Sequence, residues 1–219
     1  MKLTPDLLIK AYAIGVFPMA ESASDPNLHW IDPDERGVLP LDQFHLPRSL
    51  KRTLRKQPFR VSINENFGGT MRACAATREA RPETWINPQI LSLYDALYER
   101  GMAHSVECWH QTSHGEKFAG GLYGVALGGA FFGESMVSFA TDASKIALCY
   151  LVARLRVGGF TLLDTQFVTE HLARFGTIEI SRSAYQLQLE RALATPADFY
   201  RLSPSADVET ILQSITHTS

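Results

Sequence analysis

The feature that most restricts the fold is the stretch 103–139, a run of strand-like segments separated only by turns. Residues 105–109 alternate in polarity, as a half-buried strand does. Thr112-Ser113-His114-Gly115 is a polar turn, 118–127 a second strand, Gly128-Gly129 a second turn, and 130–139 a third strand. Connections this short join neighbours in an antiparallel meander. Asp142 stands where it can cap the next helix, whose apolar positions are Ile146, Leu148, Cys149, Leu151, Val152 and Leu155; Gly158-Gly159 ends it. A short apolar strand over 160–164, a short helix near Glu170, an extended 177–180 and a helix over 181–193 follow. A meander continued by helix, strand and helix is an α+β arrangement.

The 219 residues, 45% of them hydrophobic, suit one substantial domain with a small extra lobe. Thr4-Pro5 opens a short helix that Gly15 closes. Residues 16–45 are rich in Pro and Asp, with Trp30-Ile31 and Gly37-Val38-Leu39 as short extended pieces. The expected division is a loop-rich N-terminal lobe over 1–45, a core over 46–200 and a C-terminal tail over 201–219. Within the core, 49–56 reads as a helix with Leu50 and Leu54 on one face and 59–63 as a strand. Asn87-Pro88 caps a helix carrying Leu91, Tyr94, Leu97 and Tyr98 up to Gly101.

A formal net charge of −2 excludes a generic nucleic-acid binder, so any RNA contact must come from a local patch. One exists. Residues 46–60 hold Arg48, Lys51, Arg52, Arg55, Lys56 and Arg60 with no acid among them. With Leu50 and Leu54 buried, most of these cations share the solvent face. They can bind a phosphate backbone by counterion release, or simply be a solvated face. Cys74, Cys108 and Cys149 lie far apart, which argues against a disulfide framework and a structural zinc site. The seven histidines show no metal-binding spacing, and neither metal nor cofactor is expected. The N-terminus has no continuous apolar core of a signal peptide, and no apolar run reaches membrane-spanning length. The expected compartment is the cytoplasm.

Two segments can carry chemistry. Glu134 sits inside a strand-like run, Phe131-Phe132-Gly133-Glu134-Ser135-Met136, where an acid either faces solvent or needs polar partners. Asp164-Thr165-Gln166 follows an apolar strand, a common place for ligand-binding residues and also for a polar loop start. The glycines of 120–133 form no dinucleotide or phosphate loop and fit bulges instead. Trp30, Trp85 and Trp109 are core anchors or base-stacking platforms.

Taken together, several stretches resemble the bacterial leucyl/phenylalanyl-tRNA–protein transferase family. They are Ala11-Tyr12 with Gly15-Val16-Phe17-Pro18, Trp30 with Pro33 and Arg36, His45 with Arg48-Ser49-Leu50-Lys51-Arg52, and Thr84-Trp85-Ile86. Next come Gly101 with His104-Ser105-Val106-Glu107, residues 120–125, and Phe131 with Gly133-Glu134-Ser135-Met136 and Ser138. Ala143-Ser144-Lys145, Leu163-Asp164 with Gln166, and Tyr185 complete a collinear series over nearly the whole chain.

The resemblance implies an antiparallel-sheet, acetyltransferase-like (GNAT-type) core. It implies a reaction in which the α-amine of a protein beginning with Arg or Lys attacks the aminoacyl ester of leucyl- or phenylalanyl-tRNA, marking that protein for degradation. It places a catalytic pair on Asp164 and Gln166 and an acceptor-side acid on Glu134. The donor side chain falls among Leu122, Phe131, Leu151, Leu155 and Leu163. Trp85, Tyr12, Met19, Gly133 and Ser135 complete the substrate contacts, and the cations of 48–56 meet tRNA phosphates. Met19 stands where the family usually has an aromatic residue, Leu151 and Leu155 where it often has Phe, and little chain precedes the Ala11-Tyr12 motif. With smaller pocket residues, leucyl, phenylalanyl and methionyl groups all fit, because one or two methylenes discriminate by only about 1–3 kcal/mol. Expected in mechanism are Asp164 polarising the Gln166 side-chain amide, with proton release either through that pair or through the tRNA's terminal 2′-hydroxyl, and an acidic acceptor pocket made by Glu134 with Asp164. The competing readings are an acyltransferase of the same fold using acyl-CoA or a peptidoglycan precursor, and a noncatalytic tRNA-binding module.

Overall fold

A computed structural model of the chain describes residues 3–77 and 83–216. In chain order the elements are α1 (Pro5–Ala13), β1 (Phe17–Met19), β2 (His29–Ile31), β3 (Glu35–Val38), a 3-10 turn (Leu41–Gln43), α2 (Arg48–Arg55), β4 (Arg60–Ile63), α3 (Phe67–Ala75) and α4 (Pro88–Glu99). The second half runs β5 (Ala103–Thr112), β6 (Gly115–Leu127), β7 (Ala130–Ser138), α5 (Ala143–Gly158), β8 (Leu162–Gln166), α6 (Glu170–Ala173), β9 (Ile178–Ser181), α7 (Arg182–Ala194) and α8 (Val208–Thr216). The class is α+β.

Seven strands form one sheet in the order β4-β5-β6-β7-β8-β3-β9. All neighbours are antiparallel except β7 and β8, which run parallel because α5 crosses between them. The meander is where the alternation places it. Its strands β5, β6 and β7 pair over their full lengths, with a register shift in each pair. The β7–β8 pairing is short. It begins at Ala130↔Leu162 and ends at Phe132↔Asp164, so the two strands part from residues 133 and 165 onward. That parting opens the cavity described below.

Two apolar clusters cover the sheet. One gathers α5 and α8 against Val106, Leu122, Phe131 and Leu163. The other gathers α1, α3, α4 and α7 against Tyr123, Val125 and Phe132. The expected 1–45 lobe reaches into both the sheet and the second cluster. Glu35–Val38 is hydrogen-bonded between β8 and β9, and Leu8, Tyr12 and Phe17 are buried with Phe132. Residues 201–219, expected as a tail, contain α8, whose Val208, Ile211, Leu212 and Ile215 are buried at helical spacing.

Several local expectations change. Asp142 precedes α5 in the left-handed region and makes no capping bond; its carboxylate takes Lys145 instead, at 2.7 Å. The expected 160–164 strand starts at Leu162 and runs through Gln166, so Asp164 and Gln166 lie inside it rather than after it. Arg60 leaves the basic run for β4, where Glu65 and Glu116 hold it at 2.7 and 2.6 Å. Cys74, Cys108 and Cys149 are free and buried.

Candidate active site

Beyond Phe132↔Asp164 the splayed strands enclose a cavity of about 410 Å³. One wall is apolar and belongs to the α5 face: Leu122, Met136, Leu148, Leu151, Leu163 and Leu172. The opposite wall draws on the other face with Phe17, Met19, Trp85 and Tyr123. Gly133, Glu134 and Ser135 from β7, and Thr165 and Gln166 from β8, are the backbone edges between them. The cavity thus passes through the sheet, with contacts from both layers.

Glu134 enters it from β7. The Tyr12 hydroxyl lies 2.5 Å from Oε1 and the Tyr94 hydroxyl 2.9 Å from Oε2, each within hydrogen-bond reach, and the two hydroxyls are also in contact with each other. α1 supplies the first tyrosine and α4 the second. Burial raises the Glu134 carboxyl to about 7, with Asp164 also raising it, against the two tyrosines and Arg36, which lower it. Burial likewise lifts both phenols well above their ordinary value, reinforced by the Glu134 charge.

Asp164 does not line the cavity. It lies fully buried behind Gln166. Arg36 Nη2 and Nε bond its carboxylate at 2.7–3.2 Å and Tyr185 donates to Oδ2 at 2.7 Å. Arg36 is itself buried between the rings of Phe17 and Tyr185, each centroid 4.5 Å away, and its Nη1 donates to the Gly15 carbonyl at 2.8 Å. Burial alone would lower the guanidinium pKa; the bonds to Asp164 outweigh it and leave it raised. Gly15 is required here: at φ +83° a Cβ would stand 2.9 Å from the Tyr185 ring.

The free oxygen geometry of Asp164 reaches Gln166 through the backbone. Oδ1 accepts the Gln166 N–H at 2.8 Å, correcting the expectation that Asp164 polarises the side-chain amide. Gln166 adopts φ +58°, a conformation worth about 1–3 kcal/mol of strain for a residue with a side chain. A bulge accompanies it, since β3 pairs Gly37 with Gln166 and Val38 with Asp164. Gly37 is needed because a Cβ there would meet the Phe167 backbone at 2.6 Å. The strain turns the Gln166 side chain to the cavity, where its buried Nε2 has no partner among the described residues.

The site residues read from the sequence therefore divide. Glu134, Gln166, Trp85, Leu122, Gly133, Ser135, Leu151, Leu163 and Met19 all line the cavity. Tyr12 sits behind Glu134 rather than at the wall. Phe131 and Leu155 lie deeper, fully buried; Phe131 stacks on Phe199 and packs edge-on to Phe160. They fall short of the cavity because β7 and β8 are still paired at residue 131, and because Leu155 is a turn further along α5 than Leu151. Asp164, neutralised by Arg36, adds no net charge to an acceptor pocket. Arg48, Lys51, Arg52, Arg55 and Lys56 lie on or just after α2, whose Leu50 and Leu54 are buried. α2 packs on α5 and α8, none of its residues lines the cavity, and Arg55 is paired with Glu209 at 3.2 Å. Tyr94, Tyr185 and Phe167 were missed as site residues. Phe167 is 46% exposed at the cavity rim and meets Phe17 edge-on.

The leucyl/phenylalanyl-tRNA protein transferase family matches residues 38–190, and its N-terminal domain matches residues 1–34. The chain belongs to this family. Proteins named leucyl/phenylalanyl-tRNA–protein transferase are similar to it along almost its entire length. The one from Caulobacter vibrioides is 56% identical over 216 residues, spanning 99% of this chain and 98% of its own. The one from Paramagnetospirillum magneticum is 59% identical over 199 residues, spanning 91% and 93%. Among solved structures, FemX superposes with a TM-score of 0.53 at 14% identity, covering 83% of this chain and 70% of that one, a likeness of fold. In this chain Asp164 is sealed within the structure, whereas Gln166 and Glu134 face the cavity.

Proposed function

We propose that this enzyme moves a leucyl or phenylalanyl group, and also methionyl, from aminoacyl-tRNA to the N-terminal Arg or Lys of acceptor proteins in the cytoplasm, marking them for degradation, on a GNAT-type core. The observation that carries it is a single cavity with an apolar wall of leucines and methionine facing a carboxylate edge at Glu134. The leucine wall takes the donor side chain. Trp85 stacks the terminal adenosine, with Met19, Phe17 and Phe167 on the aromatic side of the cavity. Glu134 draws the cationic acceptor end, and Gln166 holds the reacting groups by hydrogen bonds. The exposed cations Arg48, Arg52 and Lys56 track the tRNA phosphates outside the cavity. No helix among the described residues is long and apolar enough to cross a membrane.

Incubation with leucyl-tRNA, phenylalanyl-tRNA and a peptide beginning with Arg tests this by mass. Addition of one leucyl or phenylalanyl residue at the peptide N-terminus is expected. No addition, or addition from an acyl-CoA instead, overturns it.

A further inference from the structure

Aminolysis of an ester consumes a neutral amine, yet an N-terminal α-amine with a pKa near 8 is mostly protonated at neutral pH. A cavity group that takes that proton makes the whole bound amine reactive. Gln166 can accept a hydrogen bond but, as an amide, does not hold a proton near neutrality. Asp164 is sealed from the cavity by Arg36, Tyr185 and the Gln166 backbone. Glu134 is the one carboxylate lining the cavity among the described residues.

Its surroundings are built around a proton. Glu134, Tyr12 and Tyr94 make three mutual oxygen–oxygen contacts. With Glu134 ionised, the two phenols supply only two hydrogens for those three contacts. One more proton completes the ring. The same cluster is covered by α1 and α4 and lies in a largely apolar surround, so the extra proton also removes a charge that burial disfavours. The charged and titratable groups around it are Tyr12 on α1, Tyr94 on α4 with Tyr123 of β6 edge-on to it, Asp164 on β8 and Arg36 on β3. Asp164 and Arg36 form a pair with no net charge. His171, whose pKa burial lowers, also lines the cavity.

We propose that Glu134, closed into a ring with Tyr12 and Tyr94, is the proton acceptor of the transfer reaction. The inference rests on the aminoacyl-transfer reading above. One proton passes from the acceptor ammonium to Glu134, and the freed nitrogen lone pair forms a C–N bond to the ester carbonyl. The C–O3′ bond breaks, and the second nitrogen proton leaves with the ribose 3′-oxygen. Glu134 then returns its proton to solvent. Ammonium and ester become amide, alcohol and one released proton. Tyr12 and Tyr94 are positioning residues; Glu134 is the catalytic one.

The experiment compares transfer rates of the wild type and Glu134→Gln between pH 7 and pH 9, each normalised to folded protein by circular dichroism. As the α-amine deprotonates by itself, the need for a base disappears, so the wild-type to variant ratio should fall at least about tenfold across that range. A ratio independent of pH overturns the proposal, because a carboxylate that only binds the acceptor Arg faces a group that does not titrate there. Tyr94→Phe opens the ring, costing the protonated form two of its contacts and the carboxylate only one, and should move the acidic limb of the profile down by about one pH unit. An unmoved limb overturns the ring. Loss of the limb in His171→Gln and its retention in Glu134→Gln would give the role to His171. Absence of transfer by the wild type at every pH would sink the functional reading itself rather than this assignment.

Discussion

Replacing Arg36 by Met is the most severe perturbation that spares the cavity wall. Arg36 and Asp164 are exposed by only 1% and 0%, and three guanidinium–carboxylate contacts of 2.7–3.2 Å join them. Removal of the cation leaves a carboxylate far from water with only Tyr185 and the Gln166 N–H to hold it. Breaking one side of such a pair costs about 3–5 kcal/mol. The Gly15 carbonyl also loses its donor, and two ring faces lose their cation. Urea unfolding of the wild type, Arg36→Met, Asp164→Asn and the double variant closes a cycle. The double variant should recover at least about 2 kcal/mol relative to the sum of the singles, since the stranded charge is then gone. A loss under about 1 kcal/mol for Arg36→Met, or additive singles, would refute the view that this pair supports Gln166.

Leu151 is 2% exposed and lines the donor wall, so Leu151→Phe should fill part of that wall and shift the leucyl-to-phenylalanyl rate ratio toward leucyl by about tenfold; an unchanged ratio in competition assays removes it from the pocket. Changing Arg48, Arg52 and Lys56 to Gln should weaken tRNA binding and flatten the slope of log affinity against log salt by about 0.7–0.9 per lost phosphate contact; a slope equal to the wild type's makes α2 a merely solvated face. Burial lowers His104 to about 4. The unfolded chain then binds a proton below about 6.5 that the folded one refuses, so this stability is full above 6.5 and drains as pH falls toward 4. His104→Gln should therefore lose roughly 2 kcal/mol less than the wild type between pH 7 and pH 5, read from thermal unfolding; equal losses would contradict a neutral buried imidazole.

The meander and α5 were legible because their signals are local: alternation in β5, paired glycines between β6 and β7, and a wide apolar face ending at Gly158-Gly159. Leu50 and Leu54 fixed the inner face of α2 for the same reason. α8 could have been seen from the spacing of Val208, Ile211, Leu212 and Ile215. The site is different in kind. Arg36 meets Asp164 across 128 positions and Tyr12 meets Glu134 across 122, and no local pattern records such pairings. Nor does periodicity reveal that Gln166 takes a left-handed backbone or that β8 bulges there. The family resemblance marked Asp164, Gln166 and Glu134, but the expectation that both acids face the acceptor fails for Asp164, which is sealed against Arg36 while Glu134 meets the cavity.

The parts that steady Gln166 come from distant portions of the chain: Gly15 and Arg36 early, Asp164 in the third quarter, Tyr185 near the end. A polypeptide still emerging from the ribosome, or one cut so that Arg36 is lost, lacks part of the seat for that glutamine. The contacts that hold Gln166 in place are therefore complete only once the segment carrying Tyr185 has been made.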